Sequence, residues 1–228
     1  VPAQEIIITA DRFIHGMQLL HIGTKTNPAL CKAWEQELIS LFHCIGRRYL
    51  YDKKHVTQVE RLAILMFDKL AKQYGMGERE RLLLRGAAIL HDLGKYICMR
   101  SHSTYTYELI MATDIIGFSD RDKKIIALAA YYHANKLFDE INLKTPAIDK
   151  DMVAVVAKLA TILRLADALD RSYLQKIRQC SVTIKDKAMY VQAVSKKDLA
   201  LEEWTFTSKA SFFEEVYGLK AILERVED

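Results

Sequence analysis

The sequence predicts a mainly α-helical fold with a small C-terminal α/β appendage. Three observations carry this expectation. Apolar residues recur at helical spacing from about residue 30 to residue 170. Only three Pro and nine Gly interrupt the 228 residues, a composition that favours helix. Beyond residue 177 the pattern switches to short alternating runs such as Ser181-Val182-Thr183-Ile184.

The elements follow in order. Glu5–Thr9 reads as a short strand, because Ile6, Ile7 and Ile8 form a continuous β-branched run suited to burial on both faces. Ala10–Ile22 fits a turn and a short helix. A lone buried strand needs partners, so residues 1–25 read as the remnant of a preceding domain. Asn27-Pro28 marks a helix start, followed at helical spacing by Leu30, Trp34, Leu38, Leu41, Phe42, Ile45 and Tyr49. A second helix is expected over about Lys53–Tyr74, with Val56, Val59, Leu62, Met66, Phe67 and Leu70 on one face, stopped by Gly75-Met76-Gly77. A third, over about Glu78–Leu93, is apolar nearly all round after Leu82 and therefore central, with Gly94 at its expected C-terminal cap. Further helices are expected at Thr104–Thr113, Ser119–Ala134 and Asp149–Asp170. Cys180–Ile184 and Ala188–Val194 then form a hairpin about Lys185-Asp186-Lys187. Trp204–Thr207 is expected as a third strand and Phe212–Glu224 as a closing helix. This gives a helical domain over residues 26–176 and a small α/β subdomain over 177–228.

Composition narrows the function. Hydrophobic residues at 50% and charged residues at 27% are ordinary for a soluble folded chain. A net charge of +4 falls short of a basic nucleic-acid-binding protein; it is compatible with an anionic ligand and does not require one. The Cys at 31, 44, 98 and 180 form no CxxC pair, which argues against a zinc knuckle or disulfide framework and for the reduced thiols of a cytoplasmic protein. No apolar run approaches the ~18 residues of a membrane span, and no secretory signal is evident.

The chemistry concentrates at His91-Asp92, which ends a buried helix and precedes Gly94-Lys95. Asp is seldom buried unless paired or bound to a metal. His55, in the first turn of its helix, and Asp167, in Leu163-Arg164-Leu165-Ala166-Asp167-Ala168-Leu169-Asp170, offer matching ligands from two other helices. Two imidazoles and two carboxylates suit a divalent ion (Mn, Mg, Fe, Co, Ni or Zn) with positions left open for water and phosphate oxygen. Asp92 would orient the attacking water, and Lys95, His133 and Arg171 would contact phosphate. The alternatives are a same-helix ion pair of Asp167 with Arg164 or Arg171, a solvated Lys95, and for His133 either a contact to a second metal or a capping, partner-bonded role. Asp170 reads as more exposed than Asp167, and His102 as a loop residue with a weaker claim. His15, His21 and His43 read as structural or exposed.

The order His55, His91-Asp92, Asp167 on successive helices resembles the signature of HD phosphohydrolases, which implies an HD-domain helical bundle. Several segments extend the likeness: His55-Val56-Thr57-Gln58-Val59, His91-Asp92-Leu93-Gly94-Lys95, Tyr107-Glu108-Leu109-Ile110, Tyr132-His133, Leu163 to Ser172, and Phe212-Phe213-Glu214-Glu215-Val216-Tyr217-Gly218. From about Leu30 onward they resemble the C-terminal half of the exopolyphosphatase and guanosine pentaphosphate phosphohydrolase (Ppx/GppA) family. A His that family members usually carry near the following helix start is replaced here by Tyr105, with His102 one turn earlier. The resemblance implies that the family's main hydrolysis occurs in a cleft of two actin-like domains with glycine-rich phosphate loops, which this chain lacks. Hydrolysis by this polypeptide would therefore fall to the HD site. Three functions follow: a metal-dependent phosphohydrolase, a regulatory or polyphosphate-binding module using basic runs such as Arg47-Arg48, Lys53-Lys54 and Lys123-Lys124, and a homodimerisation domain.

Overall fold

The computed structural model describes residues 27–134 and 150–226. The strand expected at Glu5–Thr9 and the helix expected within Ala10–Ile22 lie outside these residues. The chain divides into two compact units, Val1–Ser40 and Leu41–Asp228, and every site residue discussed below belongs to the second.

The fold is mainly α-helical, with a small C-terminal α/β part. Helix α1 (Pro28–Arg48) starts where Asn27 Oδ1 accepts from the backbone N–H of Ala29 at 3.0 Å. Helix α2 (Lys53–Leu70) is capped by Asp52, whose carboxylate accepts from Lys54 N and His55 N. That cap fixes the first turn and so the direction of His55. Helix α3 (Glu78–Leu90) buries every residue from Leu82 to Leu90 except Arg85. It packs against α2, α5 (Asp120–Tyr132) and α6 (Lys150–Ala168), the central position its all-round apolar sequence requires. A short 3₁₀ helix, Leu93–Tyr96, leads to α4 (His102–Ala112). No helix among the described residues is long and apolar enough to cross a membrane.

Gly94 does not cap α3 as expected. It lies inside the 3₁₀ helix, where an added Cβ would fall 2.0 Å from the carbonyl oxygen of His102. Glycine is needed here because two backbones touch, and the contact brings the start of α4 onto the end of α3.

The C-terminal part corrects two further expectations. Strands β1 (Gln179–Lys185) and β2 (Ala188–Val194) form the predicted antiparallel hairpin. Asp186 and Lys187 both take positive φ, 50° and 60°, as a two-residue turn matching strand twist requires. Trp204–Thr207 is not a strand but part of helix α7 (Ala200–Tyr217). Its buried residues, Glu202, Thr205, Phe206, Lys209, Phe212, Phe213 and Tyr217, repeat at helical spacing. The expected closing helix at Phe212–Glu224 ends instead at Tyr217, where Gly218 takes φ 64° and its N–H closes on Glu214 O. Lys220–Val226 is then β3, parallel to β2 from Ala188↔Lys220 to Val194↔Val226. A parallel pair needs a crossover of a dozen or more residues, and α7 supplies it. The helix packs on α6 and buries Phe206 and Phe213 essentially fully, each worth about 1.5–3 kcal/mol of apolar burial.

Candidate metal centre

Five α-helices and the short 3₁₀ helix converge on one buried polar cluster. His55 comes from the first turn of α2, His91 follows the last residue of α3, and Asp92 precedes the 3₁₀ helix. The backbone changes course between α3 and that short helix, so two adjacent side chains can both face inward. His102 opens α4, His133 follows α5, and Asp167 lies in the last turn of α6. His55 and His91 are fully buried, and Asp92 and Asp167 are 7% and 3% exposed. Ionised side chains this buried persist only with compensating charge.

The four imidazoles share one arrangement. His91 Nδ1 donates to Ala88 O at 2.8 Å, His102 Nδ1 to Met99 O at 3.0 Å, and His133 Nδ1 to Ala130 O. A carbonyl oxygen can only accept, so each of these Nδ1 atoms carries the proton. His55 Nδ1 donates to Asp170 Oδ2 at 2.9 Å. Every Nε2 is left to face the cluster: His55 and His91 meet at 3.3 Å, and His102 and His133 at 3.4 Å. Anchoring of the far ring nitrogen is what metal-ligating histidines require of their surroundings.

The carboxylates divide between these pairs. Asp167 Oδ1 lies 3.5 Å from His55 Nε2 and 3.8 Å from His91 Nε2. Asp92 Oδ2 lies 3.4 Å from His91 Nε2, while its Oδ1 lies 3.7 Å from His102 Nε2 and 3.9 Å from His133 Nε2. Among the described residues, two sets bring their ligand atoms within 4.8 Å of one another: His55, His91 and Asp167, and His91, Asp92 and His133. The donor set fits a divalent ion of intermediate hardness.

The electrostatics agree. Burial opposes a second proton on His55, but Asp167 and Asp170 outweigh it and raise its pKa to about 9. Burial, with the neighbouring His91, pushes His133 down to about 3; its imidazole is neutral and its Nε2 is an acceptor. Burial also works against ionised Asp92 and Asp167. For Asp92 the charges of His91 and Lys95 overcome it, and for Asp167 Lys209 and His55 do, holding both carboxyls well below the usual range.

One side of the cluster opens into a cleft of about 410 Å³ whose lining includes Asp92, Lys95, His102, His133, Arg171 and Tyr173. Lys95 Nζ sits 2.5 Å from Asp92 Oδ2 and hydrogen-bonds the Tyr173 hydroxyl, which donates to the same Oδ2 at 2.7 Å. The Tyr173 ring stacks on His55 with centroids 3.8 Å apart.

The structure brings together His55, His91, Asp92 and Asp167, with Lys95 and His133 beside them. Three readings from sequence change. His102 is a helix-start residue facing the cluster. Asp170 is 1% exposed and supports His55. The ion-pair partner of Asp167 is neither Arg164 nor Arg171 but Lys209, at 2.8 Å from α7; Arg164 donates to Tyr132 O. Tyr173 and Lys209 carried no sequence signal, because both reach the cluster through contacts distant along the chain.

Comparison with known proteins identifies the family of the chain. Residues 42–215 match Ppx/GppA phosphatase, domain III. The chain is similar to guanosine-5'-triphosphate,3'-diphosphate pyrophosphatase of Aeromonas salmonicida, 29% identical over 140 residues, covering 60% of this chain and 26% of that protein. It is similar in the same way to the protein of that name from Aeromonas hydrophila, 28% identical over 137 residues with the same coverage. The chain thus spans about a quarter of the length of these curated relatives. It belongs to the Ppx/GppA phosphatase family.

Proposed function

We propose that this chain carries a divalent-metal-dependent phosphohydrolase site of the HD type, acting on phosphate esters or anhydrides. The observation that carries the reading is the set of four inward Nε2 atoms, each fixed by a hydrogen bond at Nδ1, around two buried carboxylates. His55, His91 and Asp167 would hold one ion. Asp92 Oδ1, His102 and His133 would hold a second, with Asp92 between the two. A divalent ion supplies an activated water and neutralises charge on a phosphoryl group.

The chain's own residues supply the rest. Lys95 and Arg171 line the cleft and carry the charge to grip phosphate oxygens. His133, neutral at its Nε2, serves as a ligand rather than a phosphate donor. Asp92 lies within 3.9 Å of both imidazole pairs, and its Oδ2 is held by Lys95 and Tyr173.

A second reading keeps the site as a phosphate- or polyphosphate-binding regulatory module. The exposed residues Arg47, Arg48, Lys53 and Lys54 favour it.

The test is a metal titration followed by a panel of phosphate esters, nucleotides and polyphosphate. Turnover with Mn²⁺ or another first-row ion, abolished by Asp92→Asn in a folded chain, supports the enzyme. Polyphosphate binding without turnover supports the module. A chain that binds no divalent ion at neutral pH overturns the metal-centred reading.

A further inference from the structure

Lys209 is a buried ammonium that the hydrolytic reading does not use. It projects from the third turn of α7, is 6% exposed, and places Nζ 2.8 Å from Asp167 Oδ2. The other oxygen of the same carboxylate faces His55 and His91. The two oxygens are thus committed in opposite directions, one to an ammonium and one to an imidazole pair. From this division we infer that Lys209 determines the metal specificity of the centre. By occupying Oδ2 it limits Asp167 to a single donor oxygen, so the His55–His91–Asp167 set accepts imidazole-preferring first-row ions and rejects Ca²⁺. The inference rests on the metal-centred reading above and deepens it.

The chemistry follows from what each ion needs. Ca²⁺ gathers about six to eight oxygens and relies on bidentate carboxylates. Two imidazole nitrogens and one carboxylate oxygen give it a poor start. Mn²⁺, Fe²⁺, Co²⁺, Ni²⁺ and Zn²⁺ take imidazole readily. Lys95 grips Asp92 Oδ2 in a parallel way at 2.5 Å, but its side chain is 23% exposed at the cleft. Lys209 is enclosed, with its backbone fixed in a helix packed on α6, so the restriction it places on Asp167 is permanent.

A purely structural ion pair is the competing account. Breaking a buried pair destabilises in either case, so stability alone does not separate the two. Metal selectivity does. In the full chain, Lys209→Met removes the ammonium at similar length, and Lys209→Arg keeps a charged donor. Lys209→Ala, which leaves room for water, takes the place of Lys209→Met should that variant not fold. Free Mn²⁺ is read by electron paramagnetic resonance, Ca²⁺ is titrated as competitor, and circular dichroism monitors the fold. The wild-type chain is expected to bind Mn²⁺ with weak competition by Ca²⁺. Freeing Oδ2 should lower the Mn²⁺/Ca²⁺ selectivity ratio by about tenfold or more, the scale of effects from groups that orient ligands, and Lys209→Arg should preserve it. A folded Met or Ala variant with an unchanged ratio overturns the role of Lys209 and leaves the metal centre standing. A wild-type chain that binds no first-row ion overturns both.

Discussion

His55 Nδ1 donates to Asp170 Oδ2 at 2.9 Å, joining residues 115 positions apart. This bond decides which ring nitrogen of His55 faces Asp167 and His91. Asp170 also anchors the turn behind it, accepting from Gln175 N at 2.7 Å. Removing a carboxylate that orients a ligating histidine commonly costs 10–100-fold in metal affinity. Asp170→Ala is therefore expected to weaken Mn²⁺ binding by about that factor, read by calorimetric titration, although Asp170 reaches His55 only at the ring nitrogen turned from Asp167 and His91.

Gly94 ties the centre to the backbone. An added Cβ would meet His102 O at 2.0 Å and Thr106 N at 2.6 Å, both backbone atoms of α4. Neither can rotate aside, so Gly94→Ala must displace α4 and His102 with it. Overpacking of this kind costs about 1–3 kcal/mol or more. Denaturant unfolding is expected to show a loss at or above the upper end of that range. The pair facing Asp92 Oδ1 should fail before the pair facing Asp167, which Mn²⁺ stoichiometry reads directly.

The core of this centre was legible in the sequence because its signals are local. His91-Asp92 ends an apolar helix, and Asp167 stands among Leu163, Leu165, Ala166 and Leu169; each is anomalous within its own segment. His102 was only weakly legible, since tertiary contacts at Gly94 and between Thr106 and His91 O bring the start of α4 to the cluster. Lys209 was hidden for a further reason. The buried face of α7 includes Glu202, Thr205 and Lys209, so its helical period is invisible to a reading of apolar residues. Trp204-Thr205-Phe206-Thr207 taken alone alternates like a strand. Tyr173 follows α6 on a turn whose backbone no pattern announces.

Asp122 gives a prediction in pH. Its carboxylate accepts from Ser119 N at 3.0 Å, and Ser119 Oγ in turn accepts from Asp122 N, the reciprocal box at the start of α5. Burial opposes ionisation, but hydrogen bonds from Arg79 and Ser119 prevail and lower its pKa below the usual carboxylate value. A group depressed in the folded state contributes stability above its unfolded pKa and loses it as pH falls through the folded one. Asp122→Ala is expected to cost about 1 kcal/mol at pH 7, chiefly from the cap, because the pair with the half-exposed Arg79 adds little. The difference between mutant and wild type should shrink below about pH 4, measured by thermal melts across acid pH.

Tyr173 holds φ at 60°, a left-handed conformation that costs a residue with a Cβ about 1–2 kcal/mol. What it supplies in return is its ring on His55 and its hydroxyl on Asp92 Oδ2. Two truncations separate these terms. Tyr173→Ala loses both contacts and keeps the backbone cost, whereas Tyr173→Gly loses the same contacts and is relieved of it. The Gly variant should therefore be the more stable of the two by about 1 kcal/mol, the reverse of their order in an ordinary helix or strand. Under the proposed hydrolysis both should lose the same fraction of phosphate-ester turnover, which would depend on the phenol and not on the backbone. Equal melting temperatures for the two variants would show that the left-handed turn at residue 173 carries no strain, and that the ring is held by its contacts alone.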